Sequence, residues 1–254
     1  MSQLIWAPEL HEIDGKWYIY FAATHTHDLD ALGMFQHRMF VLECAGQRSA
    51  DRPLAGKRPG GSRLSIPSPS MPPLLPIRGN AGICGRKNPP HIEGNSNLYL
   101  AEMANPWTLK GEPVMLSKPE FDWECRGFKV NEGPAVLMHG DKLFISYSAS
   151  ATDENYCMGL LWIDRQADPL QPANWHKAPQ PVFRTSYENR QYGPGHNSFT
   201  QTPEGEDVLV YHARNYTEIE GDPLYDPNRH TRLKLVSWRE DGMPDFGIPP
   251  ADTL

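Results

Sequence analysis

An internal repeat constrains the fold of this chain more than any other feature. Three stretches can be aligned: WAPELHEIDGKWYIYFAAT from Trp6, EGPAVLMHGDKLFISYSAS from Glu132 and GHNSFTQTPEGEDVLVYHAR from Gly195. Each contains two short strand patterns joined by a turn rich in glycine and acidic residues, which is typical of a β-hairpin. Pro8 and Pro134 are 126 positions apart, twice the 63 positions that separate the second and third copies. The sequence therefore repeats a hairpin with a period near 63 residues.

Further segments repeat in phase with these hairpins. A third strand pattern recurs as FQHRMFVLE, SNLYLAEMA, NYCMGLLWID and TRLKLVSWRE. A turn with proline and tryptophan, followed by a Pro-Val strand, recurs at residues 105–116 and 172–183. The repeating unit is therefore about four antiparallel strands, and recurrent four-stranded units are the signature of a β-propeller. A β-sandwich would not produce internal copies at this period, so the predicted fold class is an all-β propeller.

Composition and charge exclude several classes of function. The net charge of -7 offers no basic surface for nucleic acid, and no apolar run approaches the ~18 residues that span a membrane. The opening residues, MSQLIWAPEL, lack the basic and apolar regions of a signal peptide, so we expect a cytoplasmic protein. The cysteines show no Cys-x-x-Cys spacing and are expected to be reduced thiols: Cys44, Cys84, Cys125 and Cys157.

One segment interrupts the repeat. Residues 45–90 contain nine prolines, seven glycines, eight lysines or arginines, one acidic residue and no aromatic residue. Proline cannot donate a hydrogen bond into a strand ladder, so we expect irregular structure and no hairpin here. Two explanations stand: a natural disordered insertion, or replacement of the first two strands of a blade, as a reading-frame slip would produce. The strand patterns on both sides of the segment favour replacement.

Four motifs, WAPELH, NEGPAV, YGPGHNSF and DGMPDFG, resemble in order and spacing those of glycoside hydrolase family 43. The segments YSASATDENYCMGLLW and YHARNYTEI resemble its arabinofuranosidase-like members, and the resemblance covers residues 1–44 and about 91–250. It implies a five-bladed propeller that hydrolyses arabinose- or xylose-containing glycans with inversion of configuration. The implied active site lies on the propeller axis, where the first strand of each blade delivers one residue.

The resemblance implies that residues 1–254 form a single propeller domain, truncated to about three and a half blades. Counting back one period from Trp6 places another copy before Met1, so the chain is expected to lack the first blade. The expected pieces are the second blade at 1–44, the disrupted segment at 45–90, the rest of the third blade at 91–116, the fourth blade at 132–184 and the fifth blade at 196–249.

Glu132 matches the general acid of the family, in its Glu-Gly-Pro setting at the start of the fourth blade. The chemistry requires such a residue, because the leaving sugar oxygen must be protonated as the glycosidic bond breaks. Desolvation at the crowded end of an innermost strand can raise the pKa of a carboxyl group and keep it protonated. The alternative is a solvated polar residue at a strand end. We predict that Glu132 is the catalytic acid.

Two further residues take roles from the resemblance. His196 in GPGHNSF matches a histidine beside a water-coordinated ion, often calcium or sodium, although the reaction requires no cofactor. Its alternative is an ordinary polar histidine, since one nitrogen is a poor ligand for a hard cation. Arg214 resembles an arginine that reaches the sugar or the catalytic acids, and its alternative is a surface arginine.

Aromatic residues are candidates for sugar binding, because aromatic rings stack well on the C–H face of a sugar. Trp6 opens the second blade and Trp123 lies just before the predicted acid, so both are predicted to bind substrate. The alternative for each is packing within or between blades. Glu9 lies near the expected axis, where we interpret it as a structural or binding residue and not as the base.

Two catalytic carboxylates of the family have no match in this chain. Inversion needs a second carboxylate about 6.5–9.5 Å from the acid to activate water. In the family this base is an aspartate on the first blade. A further aspartate, on the third blade, adjusts the pKa of the general acid. The first blade is not found, and no aspartate occurs between Asp51 and Asp122. We therefore expect slow hydrolysis by this chain.

Three classes of function stay open on the sequence alone. The first is a glycosidase, an α-L-arabinofuranosidase or a β-xylosidase, that acts on arabinose- or xylose-containing oligosaccharides. The second is a non-catalytic carbohydrate-binding propeller, and the third is a scaffold for other proteins, since fold alone does not decide function. Glu132 and His196, as residues that face carbohydrate in the family, favour the first two. An open propeller edge also predicts self-association of the chain.

Overall fold

The computed structural model describes residues 3–29, 35–44, 74–77, 80–87 and 96–252, and the fold of these residues is all-β. Its strands form antiparallel sheets that follow one another along the chain. The first sheet contains β1 (Gln3–Ile13), β2 (Lys16–Thr24) and β3 (Arg38–Cys44). The second sheet contains β4 (Leu74–Ile77), β5 (Asn80–Lys87), β6 (Asn97–Asn105) and β7 (Thr108–Ser117).

The second half of the chain continues this arrangement. The third sheet contains β8 (Asn131–His139), β9 (Lys142–Ala149), β10 (Cys157–Asp164) and β11 (His176–Lys177). The fourth sheet contains β12 (Tyr192–Gln201), β13 (Asp207–Arg214) and β14 (His230–Leu235), and a short ladder of β15 (Ser237–Trp238) and β16 (Pro244–Asp245) follows. Short 3₁₀ helices occur at Asp122–Glu124, Pro172–Asn174 and Pro223–Tyr225. Strands adjacent in each sheet are adjacent in sequence, as in the blades of a propeller.

The repeated hairpins predicted from the sequence are confirmed. β1 pairs with β2, β8 with β9 and β12 with β13, each time in antiparallel register. The first turn uses Asp14 and Gly15 with φ of 50° and 74°, and two positive φ values are what a type I′ hairpin turn requires. Gly140 has φ of 56° in the turn between β8 and β9. The glycine and acidic residues of the repeat therefore form the turns expected of them.

The first strands of three sheets share a β-bulge near their start. In β8, Glu132 pairs with Ser148 and Ala135 with Ser146, so three steps along β8 match two steps along β9. The same one-residue shift occurs in β1 and in β12. In each bulge, the residue that follows the first paired residue has a left-handed φ value. This φ is 50° at Ala7, 52° at Gly133 and 46° at His196. The bulge is therefore part of the repeat, and it redirects the side chains at the strand start.

Clusters of buried apolar side chains join each sheet to the next one along the chain. The first and second sheets share Tyr18, Tyr20, Ile83 and Met103. The second and third sheets share Leu98, Leu100, Ile145 and Leu161. The third and fourth sheets share Phe144, Leu160, Leu209 and Tyr211. The sheets therefore pack face to face in chain order, and the burial of each large apolar side chain stabilises this stack by roughly 1.5–3 kcal/mol.

The structure corrects the expectation of no hairpin within residues 45–90. β4 and β5 form a regular antiparallel hairpin there, in which Pro76 lies opposite Ala81. β5 then pairs with β6, so the second sheet has four strands. Proline is tolerated in β4 because β4 is an edge strand of its sheet. The missing N–H therefore leaves the hydrogen bonds between the other strands intact. The rest of the segment lies outside the described residues: 45–73, 78–79 and 88–90.

Other expectations about organisation can be compared directly with the structure. The third sheet spans residues 131–177, and the fourth sheet with the short ladder after it spans residues 192–245. The assignment of fourth and fifth blades to 132–184 and 196–249 stays a prediction. The number of blades in the whole fold stays a prediction. All four cysteines are free, as expected. In the described ranges, no helix has the length and apolar character needed to cross a membrane.

Candidate functional site

Glu132 projects from a backbone segment that is fixed by the residue before it. The N–H of Asn131 donates to the carbonyl of Ser96 over 3.0 Å. The side chain of Asn131 donates to Glu124 over 2.9 Å and accepts a hydrogen bond from the hydroxyl of Ser117 over 2.7 Å. Asn131 and Glu124 are both fully buried, so these bonds are shielded from water. The half-buried Glu132 therefore begins β8 from a rigid support.

The carboxyl group of Glu132 contacts a fully buried tyrosine. The hydroxyl of Tyr156, just before β10, donates to Oε1 of Glu132 over 2.8 Å. Nδ1 of His196 lies 3.3 Å from the same hydroxyl oxygen. Burial raises the pKa of Tyr156 well above its usual value, and the charge of Glu132 raises it further. Tyr156 is therefore a protonated donor that links a carboxyl group to an imidazole.

His196 lies in the bulge of β12, where its backbone and its ring are both held. Its N–H donates to the hydroxyl of Ser148 over 2.7 Å, and Ser148 lies opposite Glu132 in β9. Its ring packs against Gly133, because a Cβ at residue 133 would lie 3.2 Å from ring atoms. In the register, Gly195 pairs with His212 as Glu132 pairs with Ser148, so Gly195 corresponds to Glu132 and His196 corresponds to Gly133.

His212 in β13 completes this group of residues. Its ring stacks on Tyr156, with ring centroids 5.6 Å apart and planes inclined by 6°. Among the described residues neither ring nitrogen has a hydrogen-bond partner, and neither is accessible to solvent. Burial lowers the pKa of His212 well below its usual value, and the charges of His196, Arg229 and Arg214 lower it further. His212 is therefore a neutral ring that packs against Tyr156.

These residues form what we call the Glu132 cluster: Glu132, Ser148, Tyr156, His196 and His212. The third and fourth sheets contribute to it together, through strands that share a packed interface. The cluster holds one half-buried carboxyl group in a fixed orientation beside a neutral hydroxyl group. Such a carboxyl group can transfer a proton to or from a bound molecule, which is the role of a general acid or base.

Trp123 lies in the interior and not at an open surface. Its ring is buried between Phe121 and Tyr147, with centroid distances of 6.1 and 6.3 Å and near-parallel planes. Its indole N–H donates to the carbonyl of Pro179 over 3.1 Å. With 8% of its surface exposed, Trp123 leaves little ring area open to a sugar, so the structure supports the packing alternative for Trp123 over sugar binding.

Arg214 also lies in the interior, with 1% of its surface exposed. Its guanidinium donates to the carbonyls of Thr152 and Pro223. Its Nε lies 3.3 Å from Oδ1 of Asp226, which meets the distance for an ion pair but not the alignment for a hydrogen bond. The structure therefore corrects the surface alternative. Contact of Arg214 with a sugar stays a prediction, since its contacts with Pro223 and Asp226 anchor the loop after β13.

Trp6 occupies in β1 the position that Glu132 occupies in β8, as the matching bulges indicate. The half-buried ring of Trp6 lies on His37, with centroids 4.1 Å apart, and meets Phe35 edge-on at 5.7 Å. These contacts place the ring within the first sheet and its connection. Sugar binding by Trp6 stays a prediction.

The resemblance predicts a calcium or sodium ion near His196. In the ranges that the structure describes, no group of three or more His, Cys, Asp or Glu side chains could hold a metal ion. Nδ1 of His196 faces the hydroxyl of Tyr156. The described residues do not form a metal centre, so the calcium or sodium ion stays a prediction and takes no part in the reaction proposed below.

Sequence reasoning missed three members of the Glu132 cluster. Tyr156 and Ser148 lie within the segment YSASATDENYCMGLLW, and His212 precedes Arg214 by two residues. The sequence analysis predicted no role at the site for these three residues. A histidine in the apolar strand pattern VLVYHAR was the one available signal, because the other two hairpin copies have small residues there. The contacts of Tyr156 depend on packing between two sheets, which strand patterns do not reveal.

Curated relatives match nearly the whole chain. It is 50% identical over 256 residues to an extracellular exo-α-(1→5)-L-arabinofuranosidase of Streptomyces avermitilis, covering 99% of this chain and 51% of the relative. It is 44% identical to α-L-arabinofuranosidase 43 of Humicola insolens, covering 99% of this chain and 51% of the relative. The chain therefore spans about half the length of these relatives.

The relatives overturn the expected cytoplasmic location. The Streptomyces avermitilis relative is named extracellular, as is a Streptomyces chartreusis relative that is 46% identical over 88% of this chain and 66% of its own length. The cytoplasmic expectation rested partly on unpaired cysteines. Cys84 and Cys157 are buried, and burial raises the pKa of Cys157 to about 12. Such inert thiols persist in any compartment, so they were a poor indicator of location.

Solved structures and a family model agree with these relatives. The crystal structure of an α-L-arabinofuranosidase from Lactobacillus brevis matches with a TM-score of 0.89 and 50% identity, covering 99% of this chain and 78% of that chain. A thermostable family-43 glycoside hydrolase shares the fold with a TM-score of 0.71 at 24% identity, covering 98% of this chain and 78% of that chain. The model of glycosyl hydrolases family 43 matches residues 83–244. With a match over more than half of its length, this chain belongs to glycosyl hydrolases family 43.

Proposed function

We propose that this chain is the propeller region of an inverting α-L-arabinofuranosidase in which Glu132 is the general acid. The observation that carries the proposal is the placement of Glu132: a half-buried carboxyl group at a strand start, held by the hydroxyl of a buried tyrosine. A general acid needs this combination of a rigid support and access to a bound molecule. Membership of the family supports a glycosidase reaction for such a group.

The proposed reaction assigns one proton transfer to Glu132. As the bond between the arabinosyl carbon and the leaving oxygen breaks, Glu132 donates its proton to that oxygen. A water molecule attacks the same carbon from the opposite face, which inverts the configuration, and a second carboxylate takes a proton from this water. The absence of that base from this chain, and slow turnover as a result, stay predictions.

The substrate class follows from the relatives. The Streptomyces and Humicola relatives are named arabinofuranosidases, which favours arabinose-containing oligosaccharides over those built from xylose. A β-xylosidase activity is the alternative within the same reaction class. The names of the two Streptomyces relatives also support action outside the cell.

The test compares the 254-residue chain with its Glu132→Gln variant on arabino-oligosaccharides and xylo-oligosaccharides, whose sugar leaving groups need a proton to depart. Loss of a general acid lowers kcat by roughly 10²–10⁴-fold, so the variant should lose most of the turnover of the substrate that the chain prefers. Glu12→Gln, at an exposed position of β1, is the control and should keep full turnover. Equal rates for Glu132→Gln and the unchanged chain would contradict the role of Glu132.

Calorimetry with arabino-oligosaccharides separates the enzyme from a carbohydrate-binding propeller. Binding that is saturable in a folded chain without measurable turnover would favour the non-catalytic alternative. Assays beside the full-length Streptomyces avermitilis relative show how slow the chain is: a rate similar to that of the relative would overturn the prediction of slow turnover.

A further inference from the structure

One hydroxyl group connects the proposed acid to His196. The oxygen of Tyr156 lies 2.8 Å from Oε1 of Glu132 and 3.3 Å from Nδ1 of His196. We propose that Tyr156 is a positioning residue for Glu132, which sets the orientation of the carboxyl group and, through the same oxygen, the tautomer of His196. This inference rests on the proposed function, because it assigns to Tyr156 the orientation of the acid.

The direction of the two hydrogen bonds follows from counting protons. A tyrosine hydroxyl has one proton to donate, and its oxygen can also accept a hydrogen bond. Donation of that proton to Glu132 leaves the two lone pairs of the oxygen to accept hydrogen bonds, one from Ser148 and one from His196. His196 must then carry a proton on Nδ1, so the contact excludes the form of the ring that is protonated on Nε2 alone. Oε1 is occupied by Tyr156, and the proton delivered to the leaving oxygen is carried on Oε2.

The ring of Tyr156 has no room to move away from this position. It stacks on His212 on one side, with planes inclined by 6°. On another side it lies against Gly195, where an added Cβ would come 2.5 Å from a ring carbon. Burial raises the pKa of Tyr156 well above its usual value, so the hydroxyl is protonated at neutral pH. The donor is therefore fixed in position and in charge.

The consequence for the reaction depends on the leaving group. A carboxyl group that has lost its orienting partner donates its proton less effectively. A sugar or alkyl leaving group needs that proton, whereas a nitrophenolate leaves with little help. Removal of the hydroxyl should therefore slow the hydrolysis of substrates with poor leaving groups more than that of activated aryl glycosides.

The test uses Tyr156→Phe, which keeps the ring and removes the hydroxyl. Its kcat should fall about 10- to 100-fold on an arabinobioside and less than about threefold on a dinitrophenyl arabinofuranoside. Tyr18→Phe is the matched control, because Tyr18 is also buried and also donates over 2.9 Å to a glutamate, in its case Glu43 in the first sheet. Tyr18→Phe should affect both substrates equally.

Glu132→Gln distinguishes failure of this inference from failure of the proposed function. If Glu132→Gln slows the poor leaving group selectively and Tyr156→Phe does not, Tyr156 has no positioning role, although Glu132 is the acid. If neither variant shows selectivity, the proposed function fails together with the inference. Selectivity in both variants supports both proposals.

A readout independent of turnover is available from nitrogen NMR of the histidines. In the unchanged chain, the ring nitrogens of His196 should show the shifts of the Nδ1–H form. In Tyr156→Phe this preference should be lost, whereas Tyr18→Phe should preserve it. The Nε2–H form of His196 in the unchanged chain would overturn the inference, whatever the rate of hydrolysis.

Discussion

Gly133 and His196 are packed so closely that a side chain at position 133 would meet the imidazole. A Cβ built on Gly133 lies 3.2 Å from Cγ and from Nδ1 of His196, tighter than ordinary van der Waals contact. Gly133 also has φ of 52°, a left-handed value that glycine adopts without strain. Two constraints therefore favour glycine at position 133, directly after the proposed acid: the left-handed backbone and the close contact with the ring of His196.

Gly133→Ala should destabilise the protein and disturb the Glu132 cluster. The left-handed backbone alone costs about 1–2 kcal/mol for a residue with a Cβ, and contact with the His196 ring adds to this. Gly140→Ala is the matched control, because Gly140 has a similar φ of 56° and no neighbouring atom within 4 Å of an added Cβ. Urea unfolding should show a loss in both variants, with the larger loss at residue 133.

Histidine NMR signals decide whether the contact matters at the site. Gly133→Ala should shift the ring signals of His196, and Gly140→Ala should leave them in place. Equal unfolding free energies in the two variants, with unshifted His196 signals, would show that the ring moves aside freely.

The sequence predicted the hairpins and Glu132 as a candidate because both are local features. Asp14-Gly15 and Gly140-Asp141 carry the turn geometry in their own residues, whatever surrounds them. The β4–β5 hairpin was missed for the opposite reason. The number of prolines in the segment did not reveal that Pro76 lies in an edge strand, where proline is tolerated.

The rest of the site depends on packing between sheets, which no strand pattern contains. Trp123 was expected at a sugar because it lies near Glu132 in sequence, but the 3₁₀ helix at Asp122–Glu124 buries it against Tyr147. Tyr156 was missed because it contacts Glu132 across 24 residues of chain and His212 across a sheet interface. Proximity in sequence was thus a poor guide to the neighbours of the acid.

His212 should make the protein less stable as the pH falls below about 6.5. Its pKa is lowered in the folded protein, so between that value and about 6.5 the unfolded chain binds a proton that the folded chain does not. The free energy of unfolding is therefore not reduced by His212 above about pH 6.5. Below that pH, it falls by up to about 1.4 kcal/mol per pH unit. Urea unfolding at several pH values measures this slope.

His212→Phe isolates this contribution because it keeps a ring against Tyr156 and removes two nitrogens that have no partners among the described residues. The variant should lose part of the acid sensitivity, and at pH 5 it should be at least as stable as the unchanged chain. His27→Gln, at an exposed position, is the control and should keep the original slope. An unchanged slope in His212→Phe would show that His212 is not the titrating group.

Lys177 should be important for stability because it neutralises a fully buried carboxylate. Its Nζ lies 2.9 Å from Oε2 of Glu124, whose side chain is fully buried, while the side chain of Lys177 is 14% exposed. Lys177→Met leaves Glu124 with its hydrogen bonds but without its counter-charge, which should cost about 3 kcal/mol. Lys142→Met, which breaks an exposed pair with Asp141, should have little effect on urea unfolding. Similar urea midpoints for the two variants would show that burial of Glu124 does not make its ion pair with Lys177 more important for stability.

The final prediction concerns self-association through the fourth sheet. β14 is the last strand of its sheet, and Leu233 and Leu235 on it are 65% and 49% exposed. An outer strand with exposed apolar side chains is a surface on which a second chain can pair, since its outward N–H and C=O groups are available. We expect the chain to form dimers or larger species at micromolar concentrations, and Leu233→Lys to shift it toward the monomer in analytical ultracentrifugation. Ile248→Lys, at a residue 56% exposed outside any strand, is the control and should leave the distribution unchanged. A chain that stays monomeric, or one in which both variants dissociate it equally, would show that β14 is not the contact.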